Sequence, residues 1–175
     1  MDELFFIPPS HAAMPRAYWL DGPKLTSHIM LIQPSARQFE RVEKAIKKAH
    51  FGVYDMEIVN DLYWRDCVVL PHRRYALLTG EFRSKDHAAY MGNDYQAWDP
   101  ENAMKEAKFV HFSDYPFPKP WLHPSQAELD AALPYCSIGH AGSTDCRARN
   151  IWLGLYKDFR ERMSVSLGVT PVVLC

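Results

Sequence analysis

The chain reads as an α/β domain, and three features of the sequence predict it. Short apolar runs stopped by proline alternate with amphipathic stretches that open on helix-capping residues, the order expected of strands and helices packed in layers. Hydrophobic residues make up 47% and charged residues 23%, an ordinary balance for a soluble globular protein, and 175 residues suffice for one substantial core. Only three strand segments stand out, however, too few for a complete doubly wound sheet. On these grounds the chain resembles part of a larger sheet, a mixed one with flanking helices.

The elements follow in order. Phe5-Phe6-Ile7-Pro8-Pro9 is a short apolar piece ended by prolines, with a loop predicted to about Arg16. His28 to Gln33 reads as a buried strand closed by Pro34. A helix then begins at Ser35, with Gln38 in capping-box position; Phe39, Val42, Ile46 and Ala49 form its expected core stripe, and Arg37, Arg41, Lys44, Lys47 and Lys48 are expected to face water. Asp55 sits where the cap of a second helix belongs, followed by Ile58, Val59, Leu62 and Tyr63 at helical spacing. Asp66 to Leu70 is the second strand. The stretch from His72 to Glu106 is long and irregular, the kind of segment that carries function or hides helical turns. Lys108 to Phe112 is the third strand, running into a proline-punctuated loop that cannot continue in a sheet. Ser125 to Leu133 reads as a short helix with Glu128 at its third position. The longest helix is predicted over Thr144 to Met163, with Trp152, Leu155, Tyr156, Phe159 and Met163 on one face. Residues 1–163 form the domain; residues 164–175 are an apolar tail with no assigned role.

Bulk properties exclude several classes. A net charge of −1 and a pI near 6.7 give no electrostatic ground for a nucleic-acid partner or an anionic membrane surface. No apolar run of eighteen residues spans a membrane, and Met1 to Ser10 has neither the basic start nor the apolar core of a signal peptide. The four cysteines lack CxxC spacing. Cys136, His140 and Cys146 have no fourth ligand for a structural zinc, so a Cys136–Cys146 disulfide is the better expectation if the protein matures in the secretory pathway. Neither GxSxG nor HExxH occurs, which argues against a hydrolase.

Three ordered segments carry a family resemblance. Thr26 to Ser35 (TSHIMLIQPS) places a polar-small pair before a strand ending in Gln-Pro-Ser. Asp55 to Asn60 (DMEIVN) places an aspartate at a helix start, and Lys108 to Trp121 (KFVHFSDYPFPKPW) gives His-Phe, a short loop and Lys-Pro-Trp. In order and spacing these resemble the glycogenin-like glycosyltransferases of GT-A fold. The wording of MDELF, PRAYWL and DCRARNIWLGLYKDF resembles most the fungal branch associated with N-acetylglucosamine transfer. The resemblance covers Met1 to about Met163.

It implies transfer of a hexosyl or N-acetylglucosaminyl group from a UDP-sugar to a glycan acceptor, with retention and with Mn²⁺ neutralising the leaving diphosphate. His111 matches the family's metal ligand, and Lys119 the lysine on the diphosphate. Asp55 matches a carboxylate beside the transferred sugar, able to orient a hydroxyl or stabilise the anomeric carbon. Thr26 and Ser27 fall on sugar-contacting positions, and Trp121 packs beneath the loop.

There are departures. Met56 replaces a usual glutamine. Asp114 stands where a glycine commonly lets backbone approach the diphosphate, and its carboxylate would repel phosphate unless turned away. The family's Asp-x-Asp does not occur in these residues. The resemblance therefore implies an incomplete fold, the C-terminal half only, and a chain inactive alone. A non-catalytic binding or scaffold module derived from the same fold is the alternative. Full-length members of the fungal branch reside in the Golgi lumen through an N-terminal anchor; this chain shows no such address.

Overall fold

A computed structural model describes residues 1–93, 95–138 and 142–166, with side chains as far as residue 163. The expectations placed on His140 and on the tail lie outside these residues, apart from the helical backbone at 164–166. The class is mixed α/β, as expected. The chain divides into two compact units: Met1–Leu77 with Ala88–Asp94 and Glu106–Val110, and Leu78–His87 with Tyr95–Lys105 and His111–Cys175.

The first unit is built on a three-stranded sheet of order β2-β1-β3, with β1 at Ala12–Pro15, β2 at Leu31–Ile32 and β3 at Val68–Leu70. β1 pairs with β2 antiparallel (Ala12 opposite Ile32) and with β3 parallel (Met14 opposite Val69), so the sheet is mixed. Helices α1 (Ala36–Lys48) and α2 (Asp55–Tyr63) form the crossover between β2 and β3.

The central strand is the one the sequence hid. All four residues of β1 are buried, yet Ala-Ala-Met-Pro has neither β-branched residues nor polar alternation. Neighbours cover both of its faces. Ala13 packs with Leu4, Leu70 and Tyr75 on one side, and Ala12 and Met14 pack with Leu25 and Tyr63 on the other.

The expected core stripe of α1 is corrected. Phe39 is 66% and Ile46 56% exposed, while Gln38 is buried and Val42 packs against the core. The inward face is set instead by Arg41, which donates to the Leu62 carbonyl (2.9 Å) and to Gln38 Oε1 (2.8 Å). Gln38 therefore serves Arg41 and does not cap its own helix. The cap of α2 is also shifted: Tyr54 precedes the helix and its N–H donates to Glu57 Oε2 (3.0 Å), leaving Asp55 as the first helical residue.

The N-terminal turn Asp2–Phe6 is tied down by Glu3, which accepts from the Tyr75 hydroxyl (2.6 Å) and pairs with Lys108 (3.5 Å). The Tyr75 hydroxyl is the main reason the Glu3 carboxyl is held down from 4.5 to about 2. A carboxyl depressed on folding contributes stability that is complete above its unfolded value and disappears as pH falls through its folded one. The thermal midpoint of the wild type is thus expected to exceed that of Glu3→Gln above pH 4.5, and the difference to close between pH 4.5 and about 2. A difference that stays constant across that window would exclude the assignment.

The long stretch after β3 does hold helical turns. These are α3 (His72–Tyr75), a 3-10 turn at Thr79–Arg83, α4 (Ala88–Met91) and α5 (Pro100–Glu106); strands β4 (Leu77–Leu78) and β5 (Val110–His111) form a second small sheet.

The second unit is organised by α7 (Arg147–Ser166), which starts three residues later than predicted because Thr144–Asp145 is strand β7, paired with β6 (Ser137–Ile138). The Cys136–Cys146 disulfide closes the open end of this hairpin, with Cα atoms 4.4 Å apart. Asp145 accepts from the Arg147 N–H (3.0 Å) as the helix begins. Helix α6 (Gln126–Ala132) has the predicted capping box. Ser125 Oγ accepts from the Glu128 N–H (3.3 Å), and the Ser125 N–H donates to Glu128 Oε2 (2.7 Å). Trp152 and Tyr156 of α7 are buried against Phe117, and Phe112 packs edge-on to Tyr156 and Phe159.

Candidate functional site

The residues singled out in the sequence fall into two groups, one in each unit. In the first unit, Leu25-Thr26-Ser27 is fixed to α2 by one side chain, Asn60. The Leu25 N–H donates to Asn60 Oδ1 (2.8 Å), and Asn60 Nδ2 donates to the Leu25 carbonyl (2.8 Å) and to the Met56 carbonyl of its own helix (2.7 Å). The amide thus satisfies both main-chain groups of a fully buried residue.

Thr26 follows, also fully buried; its N–H donates to the Pro15 carbonyl (2.9 Å) and its hydroxyl oxygen accepts from the His28 N–H (3.2 Å). This engagement makes Thr26 a shaping residue of the turn, while half-buried Ser27 beside it keeps some access. Asp55 is exposed at the first position of α2, five residues before Asn60, about 7.5 Å along the helix axis. At that position a carboxylate also complements the helix dipole.

In the second unit, His111 and Lys119 flank a loop whose anchor is Asp114. The Asp114 side chain is fully buried and accepts from the Thr79 hydroxyl, from Tyr156 Oη (2.9 Å), from Trp152 Nε1 (3.0 Å) and from Arg83 Nη1 (3.4 Å). The concern raised by its sequence position is answered: the carboxylate is turned away into the core. Burial, with the Asp114 charge second, pushes the Tyr156 hydroxyl well above the usual tyrosine range, so it stays a donor.

Further bonds continue the anchoring. The Ser113 N–H donates to Thr79 Oγ1 (3.0 Å) and the Gly80 N–H to Ser113 Oγ (3.0 Å). A Cβ added at Gly80 would lie 3.0 Å from that hydroxyl oxygen, so this close approach suits glycine. The Phe117 N–H returns to the Asp114 carbonyl (2.6 Å), and Lys119 Nζ donates to the Phe112 carbonyl, folding the lysine back over the loop. Half-buried His111 presents its carbonyl to Thr79 Oγ1 (3.4 Å).

Among the described residues no group of three or more His, Cys, Asp or Glu is placed to hold a metal ion. His111 offers one imidazole, which does not by itself fit a Mn²⁺ site. Sequence reasoning gave no role to Asn60, although it closed the DMEIVN motif, and treated Asp114 as an anomaly; these two fix the main chain on which the other residues stand.

Comparison with known proteins bears on what this arrangement serves. The chain is 46% identical to the Aspergillus fumigatus protein named glucose N-acetyltransferase 1 over 94% of its own length, and 49% identical to the Gibberella zeae protein of the same name over 97%. A Saccharomyces cerevisiae protein of that name is 26% identical over 82% of the chain. The chain spans 47%, 39% and 36% of these relatives, in that order. No family model and no solved structure matches it.

Proposed function

We propose that this chain, which belongs to the family of the fungal proteins named glucose N-acetyltransferase 1, is the part of a GT-A glycosyltransferase that receives the sugar and diphosphate of a UDP-N-acetylglucosamine donor. The observation that carries the reading is the match itself, which runs through 94% and 97% of the chain at 46% and 49% identity and takes in both anchored segments.

In this reading Asp55 and Ser27 face the transferred sugar, the first stabilising positive charge at the anomeric carbon and the second binding a hydroxyl. Thr26 holds the turn that presents Ser27. Lys119 leaves the Phe112 carbonyl to meet the diphosphate as a point charge. His111 lends one donor to a divalent ion, Mn²⁺ in the family's chemistry, whose other ligands come from outside the described residues. With no Asp-x-Asp in the sequence and no ligand group among the described residues, these 175 residues alone are expected to bind donor poorly and to turn none over. Transfer proceeds with retention to a glycan acceptor. The Cys136–Cys146 disulfide supports maturation in an oxidising lumen, that of the secretory pathway and Golgi.

The test is a chimera in which these residues replace the matching portion of the Aspergillus fumigatus relative, assayed for UDP-N-acetylglucosamine turnover with Mn²⁺. Turnover should be retained, and Asp55→Ala or His111→Ala should each lower it about 10²–10³-fold. A folded chimera that turns over no nucleotide sugar would sink the reading and favour a binding or scaffold module. Calorimetry on the 175 residues alone supplies the complement. Saturable Mn²⁺-dependent binding of the donor, lost in His111→Ala, would overturn the expected inactivity of the isolated chain.

A further inference from the structure

A cavity of the first unit, about 720 Å³, lies at the end of α2 opposite to Asp55, between the last turn of that helix and Pro23-Lys24. Trp64 is nine residues beyond Asp55, about 13.5 Å along a helical rise, so this cavity is separate from the helix start assigned to the donor sugar.

Its chemistry is specific. Trp64 is 40% exposed and lines the cavity, offering an aromatic surface with an indole N–H. Arg41 is a fixed part of the wall, since its guanidinium is spent on Gln38 and Leu62 and lies 5.4 Å from the Tyr63 ring centre. The free charges are Lys24 and Arg65 against Asp61 and Asp66, whose side chains form no hydrogen bond or ion pair among the described residues. The partners of Arg41 are neutral, so its charge remains, and three cations face two carboxylates around the cavity.

A cavity that takes phosphate or nucleic acid would not turn two unpaired carboxylates to its ligand, and here they hold the excess to a single positive charge; one that takes an apolar ligand would not be ringed by unpaired charges. Donors and acceptors of both signs around an aromatic surface suit a ligand with many hydroxyls and one apolar face, which is the surface chemistry of a pyranose. The volume falls in the range of small-ligand sites and leaves room for more than one sugar ring.

We infer that this cavity binds a neutral oligosaccharide, with Trp64 stacking on a sugar ring and Asp61 accepting from its hydroxyls. As the site of the glycan acceptor it extends the function proposed above and rests on it for that role; the binding itself does not.

Ligand-observed NMR on the full chain, offering N,N′-diacetylchitobiose, α-1,2-mannobiose and maltose without metal or nucleotide, tests the inference. At least one is expected to saturate near about 1 mM, with Trp64→Ala and Asp61→Asn each weakening it about tenfold or more. Asp61 is exposed, so its asparagine variant leaves the fold intact. The His111→Ala variant should bind the sugar as the wild type does. Failure of all three sugars to saturate by about 20 mM overturns the inference. So does preferential binding of a sulfated heparin disaccharide, an affinity indifferent to both cavity variants, or one lost in His111→Ala. Sugar binding that persists beside an inactive chimera would retire the transferase reading and leave the site standing.

Discussion

Replacing Asp114 with alanine is expected to cost about 3–5 kcal/mol, a large share of what holds a domain of this size together. The carboxylate is fully buried with donors from Thr79, Arg83, Trp152 and Tyr156 around it. Alanine strands all of them. The hydroxyls of Thr79 and Tyr156 can rotate toward other oxygens, but the indole N–H of fully buried Trp152 has a fixed direction. A buried donor left unpaired costs about 1–3 kcal/mol, and the Arg83 guanidinium loses its counter-charge as well.

Asp114→Asn should fall between the two, at about 2 kcal/mol, because the amide keeps one accepting oxygen but turns an NH₂ toward groups that are themselves donors. Urea unfolding followed by tryptophan fluorescence measures both. An alanine variant within about 1 kcal/mol of the wild type would show that the network is not what fixes the loop. If the network does fix it, the loop between His111 and Lys119 loses its anchor in the same variant, and donor turnover in the chimera should fall with stability.

Elements with a strong local signal were legible in the sequence. The capping box at Ser125, the helix from Asp55 and the strand at Val68–Leu70 each announce themselves through residues a few positions apart. What stayed hidden depends on distant partners. β1, Ala-Ala-Met-Pro, has no strand signal of its own and becomes a central strand because Leu4, Tyr75, Leu25 and Tyr63 arrive from elsewhere to cover it. The stripe on α1 misled for the converse reason: a helical period shows that one face is apolar and not which neighbour meets it. In this helix Phe39 lines a cavity of about 550 Å³ with Met30 and Val59, while the polar pair Gln38–Arg41 turns inward.

The candidate site divides along the same line. His111, Lys119 and Asp55 stood out by motif. Asn60 and Asp114, which hold the backbone beneath them, were visible only as a motif's last letter and as a departure; their anchoring role depends on partners 35 or more positions away in sequence, Leu25, Trp152 and Tyr156.

Asn60 yields the second large effect, and its variants separate the two halves of the amide. Alanine removes the acceptor for the Leu25 N–H and the donor to the Leu25 carbonyl together. Leu25 is fully buried beneath this amide, and the expected loss is about 2–4 kcal/mol. Aspartate at the same position keeps the acceptor but faces two carbonyls, those of Leu25 and Met56, with a negative charge. That carboxyl gains stability by staying protonated, so its pKa in the folded state rises above its unfolded value. The Asn60→Asp variant should therefore approach the wild type at low pH, where a protonated carboxyl can donate to a carbonyl, and lose stability as pH rises through the folded pKa. Asn60→Ala should show no such pH dependence relative to the wild type. Hydrogen exchange adds a residue-level reading: the Leu25 amide loses protection in the alanine variant and keeps more of it in the aspartate variant. Equal protection in both variants would mean that the Leu25 main chain is held by something other than this amide. The placement of Thr26 and Ser27 against α2 would then have another cause.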